Sequence, residues 1–359
     1  MIKFNNKKLF LGSIIILPLL FNPFTGNVEG VKFIVFLLLS LWLCFCNTDK
    51  NYKIKNPLII ILATIIITGG LATIFSGDIY TSFFGADDRR IGFLSYLAFS
   101  LLALNSPKLQ PDKIKKYLIV SGFITSFTSL TLGLVFKLGL FENRISGTLG
   151  NPNFLGQFLA VTIFLTAYEL INRKKRDAFL YISFFVQISA LLMTGNRASI
   201  LALIIGLVLY LFLNRKRIVY LLYTLGFSSL ITILFWQRFI SLQSISTRFE
   251  LYFSAIKAII KSPLLGVGFE QIQYALDIQN RYTLVADRVH QLFLDATLSG
   301  GIFFGVTLVC LSFFVLKKLY KKKDFFYAFL IMLLSLQFGF MGVFGLFLFA
   351  VSVGIAIKE

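Results

Sequence analysis

The sequence predicts an all-α membrane protein that crosses the bilayer many times and has one large structured loop. Apolar residues make up 57% of the 359 residues, and the mean hydropathy is +0.83, far above that of a soluble domain. Apolar stretches long enough to cross a bilayer as helices recur throughout the chain. One long polar segment, residues 237–289, interrupts them. These observations predict a single membrane domain over residues 1–359, with the loop between spans nine and ten.

Twelve spans are predicted from the apolar stretches. Lysines precede the first stretch as in a signal peptide, but no small-residue cleavage site follows, so we expect an uncleaved span. The last two spans are the least distinct, because only the short stretch 339–342, with a glycine at each end, marks the boundary between them. The spans lie near residues 9–25, 31–47, 57–75, 91–105, 117–138, 153–171, 178–195, 198–213, 218–236, 290–316, 325–340 and 342–357.

The basic residues form clusters between alternate spans. Such clusters indicate cytoplasmic loops, because Lys and Arg are retained on that side of the membrane. With both termini placed in the cytoplasm, the cytoplasmic segments hold 23 of the 35 basic residues. The net charge of +19 therefore reflects membrane topology and does not indicate a nucleic-acid partner.

Arginine and lysine are divided unevenly between the two predicted faces. The cytoplasmic side has 19 Lys and 4 Arg, whereas the outer side has 4 Lys and 8 Arg. Since either cation can set topology, the outer arginines suggest bidentate binding of a phosphate or carboxylate. The alternative is that arginine only extends its charge to the headgroup region. The outer arginines are Arg89, Arg90, Arg144, Arg197, Arg238, Arg248, Arg281 and Arg288.

The loop 237–289 contains helical signals of its own. Thr247 and Glu250 have the spacing of a capping box, and apolar residues follow at helical period as far as Pro263. A second short helix is expected near 270–279. A structured loop of this size predicts a lid or roof over a site.

His290 is the only histidine in the chain and stands where this loop enters the tenth span. An imidazole beside Arg288 is a candidate for proton transfer, whereas the plain alternative is a residue at headgroup level without a chemical role. If Asp287 caps the span, His290 occupies the third helical position. Asp295 lies inside the span, where a carboxylate is costly unless it faces a polar cavity.

Two further arginines stand near predicted helix starts. Arg197 directly precedes an apolar span, where a bound anion is the expected partner. Arg248 is predicted in the first turn of the loop helix, where the helix dipole disfavours a cation, so a ligand is expected there as well. The chain has no nucleotide-binding fingerprint, and a single histidine offers no basis for a zinc site, so neither a cofactor nor a metal is expected.

Five short motifs, in this order along the chain, resemble the O-antigen ligase family. That family includes O-antigen ligases, related polymerases and protein O-oligosaccharyltransferases. Each motif alone is loose, and their order with a large loop before the last is more specific. This chain differs where Gln291 replaces the usual Asn and Ser299 replaces a frequent Glu. The motifs are Phe84-Gly85 with Arg89, Arg90 and Gly92; residues 147–153; residues 194–198; Arg248 with residues 262–268; and residues 287–291 with Gly300-Gly301.

The resemblance implies metal-independent transfer of a glycan from a polyprenyl-diphosphate-linked donor to an acceptor hydroxyl on the extracytoplasmic face of the membrane. It also implies a GT-C-like fold in the bacterial cytoplasmic (inner) membrane. His290 resembles the family's base, Arg197 and Arg248 resemble its diphosphate ligands, and Arg89 and Arg288 are further candidates for substrate binding. The implied partners are the donor, a lipid, glycan or protein acceptor, and membrane lipids. Ligase, polymerase and protein glycosyltransferase remain open.

Two other classes of protein compete with this interpretation. A transporter or flippase of lipid-linked glycans predicts internal repeats and polar residues at mid-membrane. The two halves of the sequence show no obvious similarity, and the polar residues gather at the outer ends of the spans. A non-catalytic assembly protein leaves the excess of outer arginines unexplained.

Overall fold

The computed structural model describes residues 5–21, 28–46, 56–135, 137, 140–141, 144–173, 177–213, 242–276 and 288–358. A two-stranded antiparallel hairpin pairs β1 (Leu140–Phe141) with β2 (Arg144–Ile145), and a π-helical turn, Thr131–Val135, continues α6. Short 3-10 turns lie at Leu17–Leu19 and Gly147–Leu149. The α-helices of the described ranges are α1 (Asn6–Ile16), α2 (Val28–Cys46), α3 (Pro57–Ile74), α4 (Ile79–Phe84), α5 (Phe93–Asn105), α6 (Pro111–Leu130), α7 (Pro152–Asn172), α8 (Ala178–Thr194), α9 (Arg197–Leu213), α10 (Leu242–Lys261), α11 (Ile272–Ala275), α12 (Leu292–Leu319), α13 (Lys323–Leu336) and α14 (Val343–Ile357).

Each predicted span in the described part of the chain contains a helix, although the first, 9–25, is helical among its described residues only as far as Leu19 and the eleventh, 325–340, only as far as Leu336. The ninth predicted span, 218–236, lies outside the described residues, so the number twelve stays a prediction. Within the described part, five helices are long and apolar enough to cross a membrane: α2, α3, α6 with its π-helical turn, α7 and α12. Shorter apolar helices are α5, α8, α9 and α14. The chain is thus an all-α multi-pass membrane protein.

Helix starts follow local sequence signals. The side chain of Asn56 accepts a hydrogen bond from Leu58 N at 3.1 Å, and proline occupies the first helical position of α3. Asn151 does the same for α7, where its side chain accepts from Asn153 N at 2.8 Å. Such caps satisfy amides that have no partner inside the helix, and proline at the first position loses no hydrogen bond there.

α7 forms the centre of the bundle and packs against α6, α8, α9 and α13. Every residue from Phe154 to Ala167 is buried, in contrast to the half-exposed α2 and α3. Its polar side chains bond inside the protein: Gln157 Nε2 donates to Phe340 O at 3.2 Å, and Thr166 Oγ1 accepts from Gln187 at 3.3 Å. An interior helix of this kind must satisfy its polar groups locally, because lipid offers no partners.

α12 is broken at Gly301, whose backbone has φ +79° and ψ 175°. The segment 262–268, which follows α10, enters this break. Its backbone satisfies amide and carbonyl groups that the interrupted helix leaves free. Two of the sequence motifs, 262–268 and Gly300-Gly301, are therefore one structural unit. The bridging hydrogen bonds are Val267 N to Leu298 O (2.9 Å), Gly268 N to Ser299 O (2.9 Å) and Ile302 N to Pro263 O (2.8 Å).

Candidate functional site

α10 covers the end of the bundle at which the chain enters α12. Leu251, Ala255 and Ala258 on α10 are buried against a small cluster that includes Val289 and Leu298. The helix begins at Leu242, so the prediction of a capping box at Thr247 was wrong. The helical segment continues upstream of Thr247, which therefore lies inside α10. The predicted second loop helix is present as the short α11, while residues 277–287 lie outside the described ranges.

His290 precedes α12 in a left-handed backbone conformation with φ +58°. The N-cap of α12 is Gln291, whose Oε1 accepts a hydrogen bond from Leu294 N at 2.5 Å. The prediction that His290 is the third helical residue was therefore wrong, because Gln291 caps the helix. A left-handed conformation at a residue other than glycine costs about 1–3 kcal/mol and persists only where the surroundings hold it.

The loop between α13 and α14, residues 337–342, forms a wall beside His290. The imidazole packs edge-on against Phe340, with ring centroids 5.1 Å apart. Gln291 Nε2 donates to Gln337 Oε1 at 2.7 Å, which ties the cap of α12 to the same loop. His290 is thus placed between the start of α12 and this loop.

Tyr252 of α10 reaches both sides of this site. Its hydroxyl donates to His290 O or Gln337 O, each 3.5 Å away. Burial raises the pKa of the phenol, and the nearby Arg248 lowers it less, so the hydroxyl stays a donor at neutral pH. In the sequence, only its place on the apolar face of the predicted helix distinguishes this tyrosine.

Arg248 extends from α10 to the same loop. Its Nη1 donates to Phe338 O at 3.1 Å, which uses one of the five N–H donors of the guanidinium. Because α10 begins at Leu242, Arg248 lies in the second turn, and the argument from the dipole of a first turn does not apply. The contact places Arg248 on the loop that also holds Phe340 against His290.

Arg197 is the first residue of α9, directly after the turn 194–196. Asn196 caps the helix through its Oδ1, which accepts from Ser199 N at 3.2 Å. The hydroxyls of Ser199 and Ser335 are 2.7 Å apart, and Ser335 is two residues from the loop 337–342. This bond places the start of α9, and Arg197 with it, beside the end of α13.

Arg144 fastens two of the sequence motifs to each other. Its Nε donates to Thr194 O at 2.6 Å, and its Nη2 donates to Asn153 Oδ1 at 3.3 Å. Asn196 Nδ2 adds a bond to Asn153 O at 3.1 Å. The motifs 147–153 and 194–198 are therefore bonded into one structural unit, which includes the start of α9 and Arg197. Arg144, predicted only as one of the outer arginines, thus has a structural role between these two motifs.

Arg89 and Arg288 meet at a buried carboxylate, that of Glu270. Arg89 Nε lies 3.0 Å from Glu270 Oε2, and Arg288 Nη2 bonds Glu270 Oε1. Arg288 Nη1 also lies 2.7 Å from Asp295 Oδ1, and the arginine is only 4% exposed. Asp295 thus faces an internal cation. Sequence reasoning missed Glu270, because an isolated loop glutamate carries no pattern that predicts its partners.

Burial and charge act against each other in this group. Burial raises the pKa of the Glu270 carboxyl, and Arg288 and Arg89 pull it back by a smaller amount. Burial lowers the pKa of Arg288, but Asp295 and Glu270 together outweigh it, so the pKa lies above its usual value. The guanidinium therefore stays charged at every physiological pH, and the two carboxyl groups must remain close to it.

Comparisons with known proteins match this part of the chain. A family model described as O-antigen ligase matches residues 182–309, which extend from α8 through the break in α12. The ComP-specific O-oligosaccharyltransferase of Acinetobacter baylyi is 26% identical to the chain. That alignment covers 89% of this chain and 64% of the relative, so the chain spans somewhat less than two thirds of the relative's length.

Proposed function

We propose that this chain, which matches the O-antigen ligase family model over residues 182–309, transfers a glycan from a polyprenyl-diphosphate-linked donor to an acceptor hydroxyl at the outer face of the membrane. One observation carries this proposal. His290 and Arg248 both contact the loop 337–342, and the start of α9, which carries Arg197, is bonded through Ser199 to Ser335 just before that loop. His290, Arg248 and Arg197 come from three separate helices or helix ends and lie far apart in the sequence.

In the proposed reaction, His290 acts as the general base. The acceptor oxygen forms a bond to the sugar carbon that carries the diphosphate, and the bond from this carbon to the diphosphate oxygen breaks. The leaving diphosphate takes the electron pair of that bond, and the acceptor proton passes to His290. Attack from the opposite face inverts the configuration of the sugar carbon. Diphosphate leaves readily, so the site needs a base and charge stabilisation more than an acid.

Arg197 and Arg248 are the proposed ligands of the diphosphate. A guanidinium can bind two phosphate oxygens at once, and its positive charge offsets the charge that develops as the bond to the sugar breaks. Arg89 and Arg288 were candidates for the same role. Both are paired with Glu270, and Arg288 with Asp295 as well, so their charges are already balanced inside the protein. We therefore assign binding of the diphosphate to Arg197 and Arg248.

The proposed donor also accounts for the setting of the site. A polyprenyl tail must stay in lipid while its glycan stays in water, and the site lies at one end of a bundle of apolar helices. The distribution of basic residues supports an outer position for this end, with both termini in the cytoplasm. For a bacterial protein this membrane is the cytoplasmic membrane. The acceptor is a hydroxyl of a lipid, a glycan or a protein.

A reconstitution experiment tests the proposal. Purified protein is mixed with a polyprenyl-diphosphate-linked oligosaccharide and candidate acceptors, and mass spectrometry identifies any glycosylated product. We expect transfer by the wild type and loss of at least about 100-fold in His290→Ala, since general-base catalysis contributes roughly that much. A normally inserted His290→Ala variant with full activity would refute the proposed mechanism. Movement of the donor across vesicles without a covalent product would instead indicate a flippase.

A further inference from the structure

We infer that Arg288 and Asp295 are positioning residues for His290, and that Glu270 and Arg89 extend them into a buried charge chain. We call this row of four charged residues, Arg89, Glu270, Arg288 and Asp295, the outer charge chain. This inference rests on the proposed function, in which His290 is the general base. The role differs from substrate binding, because none of the four residues has to touch the donor.

Asp295 fixes the backbone on both sides of His290. Its Oδ1 pairs with Arg288 Nη1 at 2.7 Å, and its Oδ2 accepts from Val289 N at 3.2 Å. Its own backbone N–H donates to Gln291 O at 2.9 Å. One residue in the first turn of α12 therefore holds the two residues before His290 and the one after it. His290 lies between these held residues, and its backbone joins Val289 to Gln291 with φ +58°.

The far end of the outer charge chain is fixed to another part of the bundle. Glu270 Oε2 is 3.0 Å from Arg89 Nε, and the two residues are 181 positions apart in sequence. Arg89 lies in the loop between α4 and α5, which is closed by Arg90 N donating to Ala86 O at 2.8 Å. The backbone before His290 is thus held against α4 and α5 as well as against α12.

Phe340 links the outer charge chain to the imidazole itself. The guanidinium of Arg288 lies 5.9 Å from the centroid of the Phe340 ring, and the imidazole of His290 lies 5.1 Å from the same centroid. A shift of Arg288 therefore moves the surface on which the imidazole packs. Small displacements of this kind matter, because an error of about 1 Å in a catalytic group can lower the rate about 100-fold.

Asp295→Asn is the most direct test of this role. Asparagine keeps the size of the side chain and one oxygen for Val289 N, but it gives up the charge that balances Arg288. We expect kcat to fall about 10- to 100-fold while the KM for the donor changes less than about twofold. Arg288→Lys keeps the positive charge but loses the paired geometry of the guanidinium, so it should show the same pattern.

The single histidine of the chain permits a readout that needs no donor. Diethyl pyrocarbonate modifies imidazole, and in protein without a polyhistidine tag the only imidazole is that of His290. The rate of modification, followed by mass spectrometry across a range of pH, reports the exposure and protonation of this one ring. We expect Asp295→Asn and Arg288→Lys to change that rate severalfold and to shift its pH dependence.

Asp324→Asn is the matched control. Asp324 Oδ2 pairs with Lys115 Nζ at 2.8 Å, and both side chains are largely buried. This pair lies at the start of α13, about 20 Å along the helix from the loop 337–342. The control therefore removes a comparable buried charge without touching the surroundings of His290. We expect it to leave kcat and the reactivity of His290 at wild-type values.

Each result has a defined meaning. Reactivity and kcat like those of the control in Asp295→Asn and Arg288→Lys would overturn the positioning role. So would a loss of donor affinity in Arg288→Lys as large as that in Arg248→Ala, because Arg288 would then be a donor ligand. If Asp295→Asn does not fold, Arg288→Lys and Glu270→Gln decide the question by the same measurements. A wild type that transfers no glycan would refute the proposed function, while the reactivity of His290 would still report its positioning.

Discussion

Replacing Gly301 by alanine should detach the segment 262–268 from α12. The residue has φ +79° and ψ 175°, a backbone conformation that is essentially restricted to glycine. A Cβ atom at this position would lie 2.0 Å from the carbonyl oxygen of Leu264. That oxygen belongs to the backbone, so no side-chain rotation relieves the contact. Either the break in α12 must change or the segment must move away.

The size of the effect follows from these contacts. Strain at the backbone of an alanine here costs about 1–3 kcal/mol. Movement of the segment also weakens the three backbone hydrogen bonds that bridge the break, each of them contributing about 0.5–1.5 kcal/mol. The sum is about 5 kcal/mol. Unfolding entropy is about 2.1 cal/mol/K per residue, so for 359 residues this loss lowers the Tm by ~6–7 °C.

Thermal unfolding in detergent, followed by intrinsic fluorescence, measures this change. Gly345→Ala on α14 is the control, because its Cβ would be 3.6 Å from the nearest side chain and the glycine lies inside a helix. Alanine there should leave the Tm unchanged or raise it slightly, since alanine favours a helix by about 1 kcal/mol over glycine. A Gly301→Ala protein that unfolds within 2 °C of the control, roughly the size of the control's own effect, would refute the claim that the broken helix requires glycine.

Three further changes test the site and its base. Arg248→Ala should raise the KM for the donor about 10-fold or more, while Lys257→Ala on the same helix should not, as steady-state transfer assays can show; equal effects would remove the diphosphate role of Arg248. Gly156→Ala should destabilise the protein and lower activity, since its Cβ would lie 2.7 Å from Asn196 Cβ; an unchanged Tm would contradict the close packing below Arg197. Gln291→Ala should cost about 1 kcal/mol of stability through the lost cap and reduce kcat; wild-type kcat would show that the cap does not matter for His290.

The sequence predicted the helices well for a physical reason. A segment that crosses lipid must form its backbone hydrogen bonds internally and must be apolar over its whole length. The signal for each helix therefore lies in one run of consecutive residues. The predicted span 153–171 became α7, Pro152–Asn172, because a capping asparagine, a proline and an apolar run all lie in that one stretch. The same local reasoning failed at Thr247, where a capping-box spacing occurs inside a longer helix.

The arrangement of the site depends on contacts between residues far apart in the sequence, which no local sequence pattern predicts. The pairing of Arg89 with Glu270 joins residues 181 positions apart, and either one alone looks like an ordinary loop charge. His290 adopts a left-handed conformation, and the two residues before it are held by the two carboxylate oxygens of Asp295, five residues later in the sequence. Sequence reasoning found the histidine because it is unique, and it placed Asp295 in the helix, but it could not assign Arg288 as its partner.

Gln291 shows how a departure from the family's pattern fits this structure. The family usually has asparagine here, and asparagine is a good N-cap. Glutamine is longer by one methylene, and in this chain its Oε1 caps Leu294 N while its Nε2 reaches Gln337 Oε1 at 2.7 Å. Gln337 in turn donates to Leu333 O at 2.9 Å, which ties the bond to the end of α13. In this chain the longer amide therefore both caps α12 and bonds the loop beside His290.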